Sequence, residues 1–240
     1  MAPWRFWVPG QDIHDIPVEA PALASWMKST HPDQIRLMAY LADVKSRLPL
    51  PAGPEPLFLA LEVGVRDRNK LLSHHDLENY LTPLFGRQCL DPNRFTLVRA
   101  SKRVGGPSRI RVGYANGPVI QDLSTWHSFE TQLDCGLTSG ERKASLRDQI
   151  RSGAELLPDR PVGVRMGWRC SSKRNWTTLW KPTGDVMGPI LGVTRNEGFN
   201  PRDDRIVALE FQREVDDRLQ NALQLGLWWR SEVDGSERQW

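Results

Sequence analysis

Two well-separated stretches of this chain carry the same punctuation, and that agreement restricts the fold more than any other feature. Tyr80-Leu-Thr-Pro-Leu-Phe-Gly86 and Val186-Met-Gly-Pro-Ile-Leu-Gly192 set Pro83 against Pro189 and Gly86 against Gly192, with apolar residues at the positions between. Proline and glycine restrict or free the backbone and therefore mark where elements begin and end. Downstream, Leu90-Asp-Pro-Asn-Arg94 aligns with Phe199-Asn-Pro-Arg-Asp203. A strand-like run follows each, Thr96-Leu-Val98 and Arg205-Ile-Val207. Further on, Ile110-Arg-Val-Gly-Tyr114 matches Leu223-Gln-Leu-Gly-Leu227, both alternating and both with an inner glycine. A recurring order of elements is the signature of a repeated supersecondary unit.

The upstream elements keep the same order. Leu57–Val65 is an unbroken apolar run of strand length, and Val162–Trp168 occupies the matching place. A helix precedes each. Thr30-His-Pro-Asp33 supplies an N-cap, a first-turn proline and an early acid, and Ile35, Met38, Ala39, Leu41 and Ala42 follow at helical spacing. The second helix starts after Thr138-Ser139, runs from Glu141 to Ser152 and is stopped by Gly153. Gly105-Gly-Pro-Ser108 reads as a hairpin turn. One further strand is expected at the start of each half, around Trp4–Val8 and near Arg111–Ala115 or just beyond. The expected fold is therefore α+β, in two similar modules spanning residues 1–115 and 116–240. Each has a small mixed or antiparallel sheet with helices packed on it, and a pseudo-two-fold axis relates them.

Composition excludes several alternatives. A hydrophobic share of 39% and a charged share of 25% suit a globular chain. No apolar run approaches the roughly 20 residues of a membrane span, and the N-terminus has no extended apolar segment of the signal-peptide kind. Cys89, Cys135 and Cys170 are far apart and odd in number, which speaks against a zinc site or disulfide framework. A reducing, cytoplasmic setting is expected. The net charge of +3 permits contact with nucleic acid without demanding it. The ten tryptophans suit core packing, or base stacking for one or two of them.

Acids gather where strands give way to short helices. In His74-His-Asp-Leu-Glu-Asn-Tyr80, Asp76 and Glu78 are two residues apart, so an extended segment turns both carboxylates to one side. Hard cations such as Mg²⁺ take oxygen ligands of that kind. Acids at a helix start also cap free N–H groups and favour the helix dipole, and both roles fit. The second half has Lys181-Pro-Thr-Gly-Asp185 in the corresponding place and Asp203-Asp204-Arg205 before its next strand. Those acids suit either a ligand pair or a solvated turn.

This pattern resembles the RusA-like Holliday-junction resolvases, small homodimeric α+β endonucleases with a D-x-D-N entry to a short helix and a D-D pair before a strand. The resemblance extends along nearly the whole chain in element order, with specific motifs in short stretches. It implies two degenerate copies fused into one chain, a monomeric pseudo-dimer acting on branched or duplex DNA. It implies Mg²⁺ as cofactor and a role in DNA recombination or repair. Asp76, Glu78 and Asn79 stand at D-x-D-N, with Glu for the second Asp. Lys181-Pro182 and Asp203-Asp204 stand at the second half's K-P and D-D positions, where Pro182 and Gly184 replace the acids. The resemblance assigns catalysis to Asp76, Glu78 and Asp91, metal binding to Asp76, Glu78, Asp203 and Asp204, and a second site to Asp185, Asp203 and Asp204. Since neither half keeps the full ligand set, a non-catalytic module binding nucleic acid or protein is the alternative.

Basic residues supply the candidate nucleic-acid surface. Lys102, Arg103, Arg109 and Arg111 lie along the first half's turn. Lys173, Arg174 and Lys181 lie in the second half, interleaved with Trp176 and Trp180. Backbone contact by the cations with stacking on the rings is one use, and a solvated face is the other. His74 and His75 are adjacent and point to metal ligation only weakly. Asp122, His127 and Ser128 are near in sequence but lack a nucleophile elbow.

Overall fold

The computed structural model describes residues 2–18, 21–23, 28–67, 70–72, 76–86, 89–134, 139–194 and 200–232. Eight strands and five α-helices follow one another as β1 (Phe6–Val18), α1 (Pro32–Arg47), β2 (Leu57–Val65), α2 (Leu77–Gly86), β3 (Phe95–Val104) and β4 (Ser108–Val119). There follow β5 (His127–Leu133), α3 (Gly140–Gly153), β6 (Val162–Cys170), α4 (Trp180–Asp185), α5 (Gly188–Leu191), β7 (Ile206–Val215) and β8 (Leu223–Ser231). No helix among the described residues is long and apolar enough to cross a membrane.

All eight strands join one mixed sheet in the order β1-β4-β2-β3-β7-β6-β8-β5. From the β1 edge inward the pairings are antiparallel, antiparallel and parallel. From the β5 edge inward they are the same. The antiparallel pair β3–β7 joins the two sets, with Leu97 opposite Gln212 and Ser101 opposite Ala208. A 3₁₀ turn immediately precedes each central strand, Pro92–Arg94 before β3 and Asp203–Arg205 before β7.

Alternation along the strands separates two faces. Leu57, Leu59, Leu61 and Val63 of β2, and Val164, Met166 and Trp168 of β6, join the main core with Leu41 of α1, Leu84 of α2, Ile150 of α3 and Ile190 of α5. The opposite face carries Arg165 and Arg169 of β6 and Glu210 and Gln212 of β7, all at most 4% exposed. The N-terminal segment lies over it. Trp7 donates its backbone N–H to Gln212 and its indole N–H to the Arg213 carbonyl, and Trp4 and Phe6 pack edge-on to Trp228.

Several sequence expectations need correction. Gly105-Gly-Pro-Ser108 does not close a hairpin, because β2 lies between β3 and β4. Gly105 and Gly106 both have positive φ, which lets the chain arch over the end of β2, where the Gly105 N–H bonds to the Val65 carbonyl. The N-cap of α1 is His31, whose Nδ1 accepts from the Asp33 N–H, rather than Thr30. The strand opening the second half is β5, beyond Ala115, and position 115 itself lies within β4. Gly113 and Gly226 are not equivalent either: Gly113 faces Phe58 at the start of β2, and Gly226 faces Gly167 well into β6.

Candidate functional site: one acidic centre fed by both halves

β2 points its C-terminal end toward the start of α2, and β7, antiparallel to β3, begins at the same end of the sheet. That arrangement brings Asp76, just before α2, and Glu78, in its first turn, to Asp203 of the turn preceding β7. Together with Gly184 of α4 they border a small, partly open space of about 10 Å³, also lined by Met166 and Phe211. Such a space holds about one water molecule. α4 comes close because Gly184 has no side chain: a Cβ there would stand 3.1 Å from Glu78 Oε2.

Cations surround these acids. Lys181 Nζ lies 3.2 Å from Asp185 and 4.0 Å from Asp203, and Lys143 of α3 reaches Asp185 at 3.2 Å. Lys102, 1% exposed, donates to the backbone carbonyls of Leu71 at 3.1 Å and Asp204 at 2.7 Å. The Asn79 amide donates to Asp76 Oδ2 at 2.9 Å and fixes that carboxylate.

The electrostatics follow from crowding in a dry place. Burial raises the Glu78 carboxyl to about 8, with Asp185, Asp203 and Asp76 adding to the effect and Lys181 opposing it. Burial likewise raises Asp203 to about 7, helped by the charge of Asp76 and a hydrogen bond between the two carboxyls, which a shared proton makes possible. Lys102 is lowered to about 8 by burial, against the pull of Asp76, Asp204 and Asp203. For Lys181 burial works downward, and Glu78, Asp185 and Asp203 outweigh it, so its affinity for the proton rises. Glu78 is 7% exposed, its backbone carbonyl accepts from the Thr82 hydroxyl at 3.0 Å, and Asp204 Oδ1 is buried without a partner among the described residues. Among the described residues, no three His, Cys, Asp or Glu side chains already stand at metal-shell spacing.

The two sites expected from sequence thus share one place. Asp76, Glu78, Asp185, Asp203 and Asp204 come together, with Lys102 and Lys181 among them. Asp91 does not join them. It caps the turn before β3, accepting from the Asn93 N–H at 2.9 Å, and that turn lies at the other end of β3 from Lys102. At about 3.3 Å per residue the separation is on the order of 20 Å. The other basic residues are dispersed. Arg109 pairs with Asp15 at 2.7 Å, Arg111 lies near Asp12 and Glu62, and Arg103 lies near Glu62. Lys173 is exposed, and Arg174 donates to the Asn221 carbonyl. Trp176 and Trp180 are core residues, 0% and 1% exposed, so the stacking role expected of them fails. His74, His75 and Cys135 lie outside the described residues. Asp122 bonds within its own turn, and His127 stacks on Trp229. Sequence reasoning missed Lys143, because one lysine on an amphipathic helix resembles any solvated lysine.

No known family model matches this chain, and no curated protein matches it either.

Proposed function

We propose that the chain is a Mg²⁺-dependent endonuclease acting on branched DNA, built as a single-chain counterpart of a homodimer with related modules at 1–115 and 116–240. The module reading is supported by the identical pairing sequence from either sheet edge and by the matching 3₁₀ turns before β3 and β7. The activity rests on one observation, the convergence of Asp76 and Glu78 with Asp203 on a space of one water's size.

The donor chemistry suits a hard cation: every candidate ligand is a carboxylate oxygen, and the buried, unpartnered Asp204 Oδ1 is an atom that an added cation would satisfy. Asp76, Glu78 and Asp203 would hold it, with Asp204 behind them. When bound, Mg²⁺ supplies an acidified water and stabilises charge on the phosphoryl oxygens. The chain's own residues do the rest. Asn79 orients Asp76. Lys143 holds Asp185, and Lys181, with its side chain 52% exposed, stands at the rim where a phosphate oxygen can take it from the acids. The proton that burial and the charge of Asp76 keep on Asp203 would be given up when a cation is held there.

Incubation of the full chain with a synthetic four-way junction and Mg²⁺ tests this. Cleavage is expected, falling by about 100-fold in both Asp76→Asn and Asp203→Asn. Wild type as inert as the variants across divalent metals would overturn it. A second reading, junction binding without hydrolysis, is favoured by the compensation that Lys181 and Lys143 already give the acids. It yields salt-dependent binding and no products.

A further inference from the structure

The two ends of the central strand pair are built alike and charged oppositely. At the acidic end, Lys102 of β3 donates to the carbonyls of Asp204 and Leu71. At the other end, Arg213 of β7 reaches Asn93 Oδ1 at 3.4 Å and the Ser172 carbonyl at 3.2 Å. Where the first end has Asp203-Asp204 in its 3₁₀ turn, the second has Pro92-Asn93. Trp176 closes that end, wholly buried and donating its indole N–H to the Pro92 carbonyl at 2.9 Å.

The charge left there is positive. Arg213 is 3% exposed and donates to Asn93 and to the Ser172 carbonyl, Arg174 donates to the Asn221 carbonyl, and Lys173 is exposed with Asp217 as the carboxylate it acts on. The nearby acids are each engaged: Asp217 accepts from Ser171 and Ser172 with Lys173 in its field, Asp216 pairs with Arg218, and Asp91 accepts within its own turn. An end whose carboxylates are each held by local donors, with Asn93 where the other end has Asp204, cannot perform the chemistry of the other, while its cations suit phosphate.

We infer that the molecule has one cutting end and one holding end, so that each encounter with a branched DNA hydrolyses a single phosphodiester bond while Lys173 and Arg174 grip backbone phosphates about 20 Å or more away. This rests on the hydrolytic reading above. In each event one water adds across the ester: a P–O bond to water forms, one P–O bond to sugar breaks, and the leaving oxygen ends with the proton that water gives up. A second cut, in the opposed strand, requires release and rebinding in the other orientation.

The full chain is to be incubated with Mg²⁺ and a negatively supercoiled plasmid extruding a cruciform, with excess unlabelled junction added as a trap after binding. A first nick relaxes the plasmid and removes the cruciform, so nicked circle is expected as the end product, with linear DNA at least about 10-fold less abundant. Linear DNA formed in one encounter overturns the inference while leaving the hydrolytic reading intact. No cleavage with any divalent metal overturns both. In the Lys173→Ala/Arg174→Ala double variant, the slope of log affinity against log salt should flatten by about 2, at roughly 0.9 per phosphate contact. An unchanged slope removes the holding end.

Discussion

Glu78 occupies a helix first turn, where an acid ordinarily does no more than meet the dipole, yet the strand that follows Asp203 delivers a second carboxyl onto it. Its proton affinity sets a pH signature. The folded value near 8 exceeds the ordinary 4.5, so the folded state keeps a proton that the unfolded chain releases. Stability from this group is greatest below 4.5 and is lost as pH rises toward 8, and Asp203, raised to about 7, acts in the same direction. Lys102 has the opposite sign. Its folded value near 8 lies below the ordinary 10.5, so its contribution improves as pH rises from 8 to 10.5. The three together put a minimum near pH 8 in metal-free protein. Melting temperatures from pH 5 to 10 should show it, and Glu78→Gln should flatten the acidic limb; an acidic limb of unchanged slope would refute the assignment. Gly184→Ala is a finer probe. The new methyl meets Glu78 Oε2 at 3.1 Å, closer than an ordinary van der Waals contact, so the carboxylate must shift. Cleavage should fall about 10-fold while stability changes by no more than about 1 kcal/mol, since alanine favours the helix. That Asp76, Glu78, Asp185 and Asp203 are candidate acids was legible in sequence, because carboxylates at strand–helix junctions stand out. That they gather in one place was not, since it depends on β3 pairing with β7, which no local pattern encodes.

The elements were easier to read than their partners. Leu57–Val65 and Val162–Trp168 are strands β2 and β6, and Ser139 caps α3 by accepting from the Arg142 N–H. The turn at Gly105 misled because a Gly-Gly-Pro arch over a neighbouring strand uses the same residues as a hairpin. The N-terminal segment was read only as a strand, whereas Pro3–Trp7 also covers the second sheet face. Trp4 lies over the Arg169 guanidinium at 4.7 Å, and the Pro3 carbonyl accepts from that arginine at 3.3 Å. A Cβ at Gly167 would stand 3.0 Å from the Trp4 ring, so glycine there makes room for it. Trp4→Ala should therefore cost about 3 kcal/mol, read by urea denaturation, through lost burial and an uncovered Arg169. A loss under about 1 kcal/mol would show the segment to be dispensable. Beneath it Glu210, fully buried, pairs with Arg99 and Arg165 at 2.6 Å each. Truncating Glu210 to Ala strands two arginines and should cost about 3–5 kcal/mol, whereas an apolar replacement of all three would cost far less.

At the scale of the whole molecule, matching punctuation in two stretches of sequence does not mean independence in folding. One apolar core takes residues from both halves, among them Leu41, Leu84, Ile150, Trp168 and Leu191. Phe85 of α2 meets Phe95 and Trp180 edge-on, the first from its own half and the second from the other. The N-terminal segment binds Gln212 and Arg213 of β7, and the acidic centre needs both halves to exist at all. A chain joined this way has no boundary at which one part can unfold and leave the other with its surface satisfied. Unfolding should be one cooperative transition. The chain itself supplies a discriminating pair of probes. Trp168, Trp176, Trp180, Trp228 and Trp229, all at most 4% exposed, belong to the second half, so fluorescence reports chiefly there, while far-ultraviolet circular dichroism reports on strands and helices of both. Guanidinium midpoints from the two signals should coincide, and Asp203→Asn should move them together. Fluorescence that shifts at lower denaturant than the dichroism would mean that the halves part before they melt, and the centre they share would then be lost before either fold.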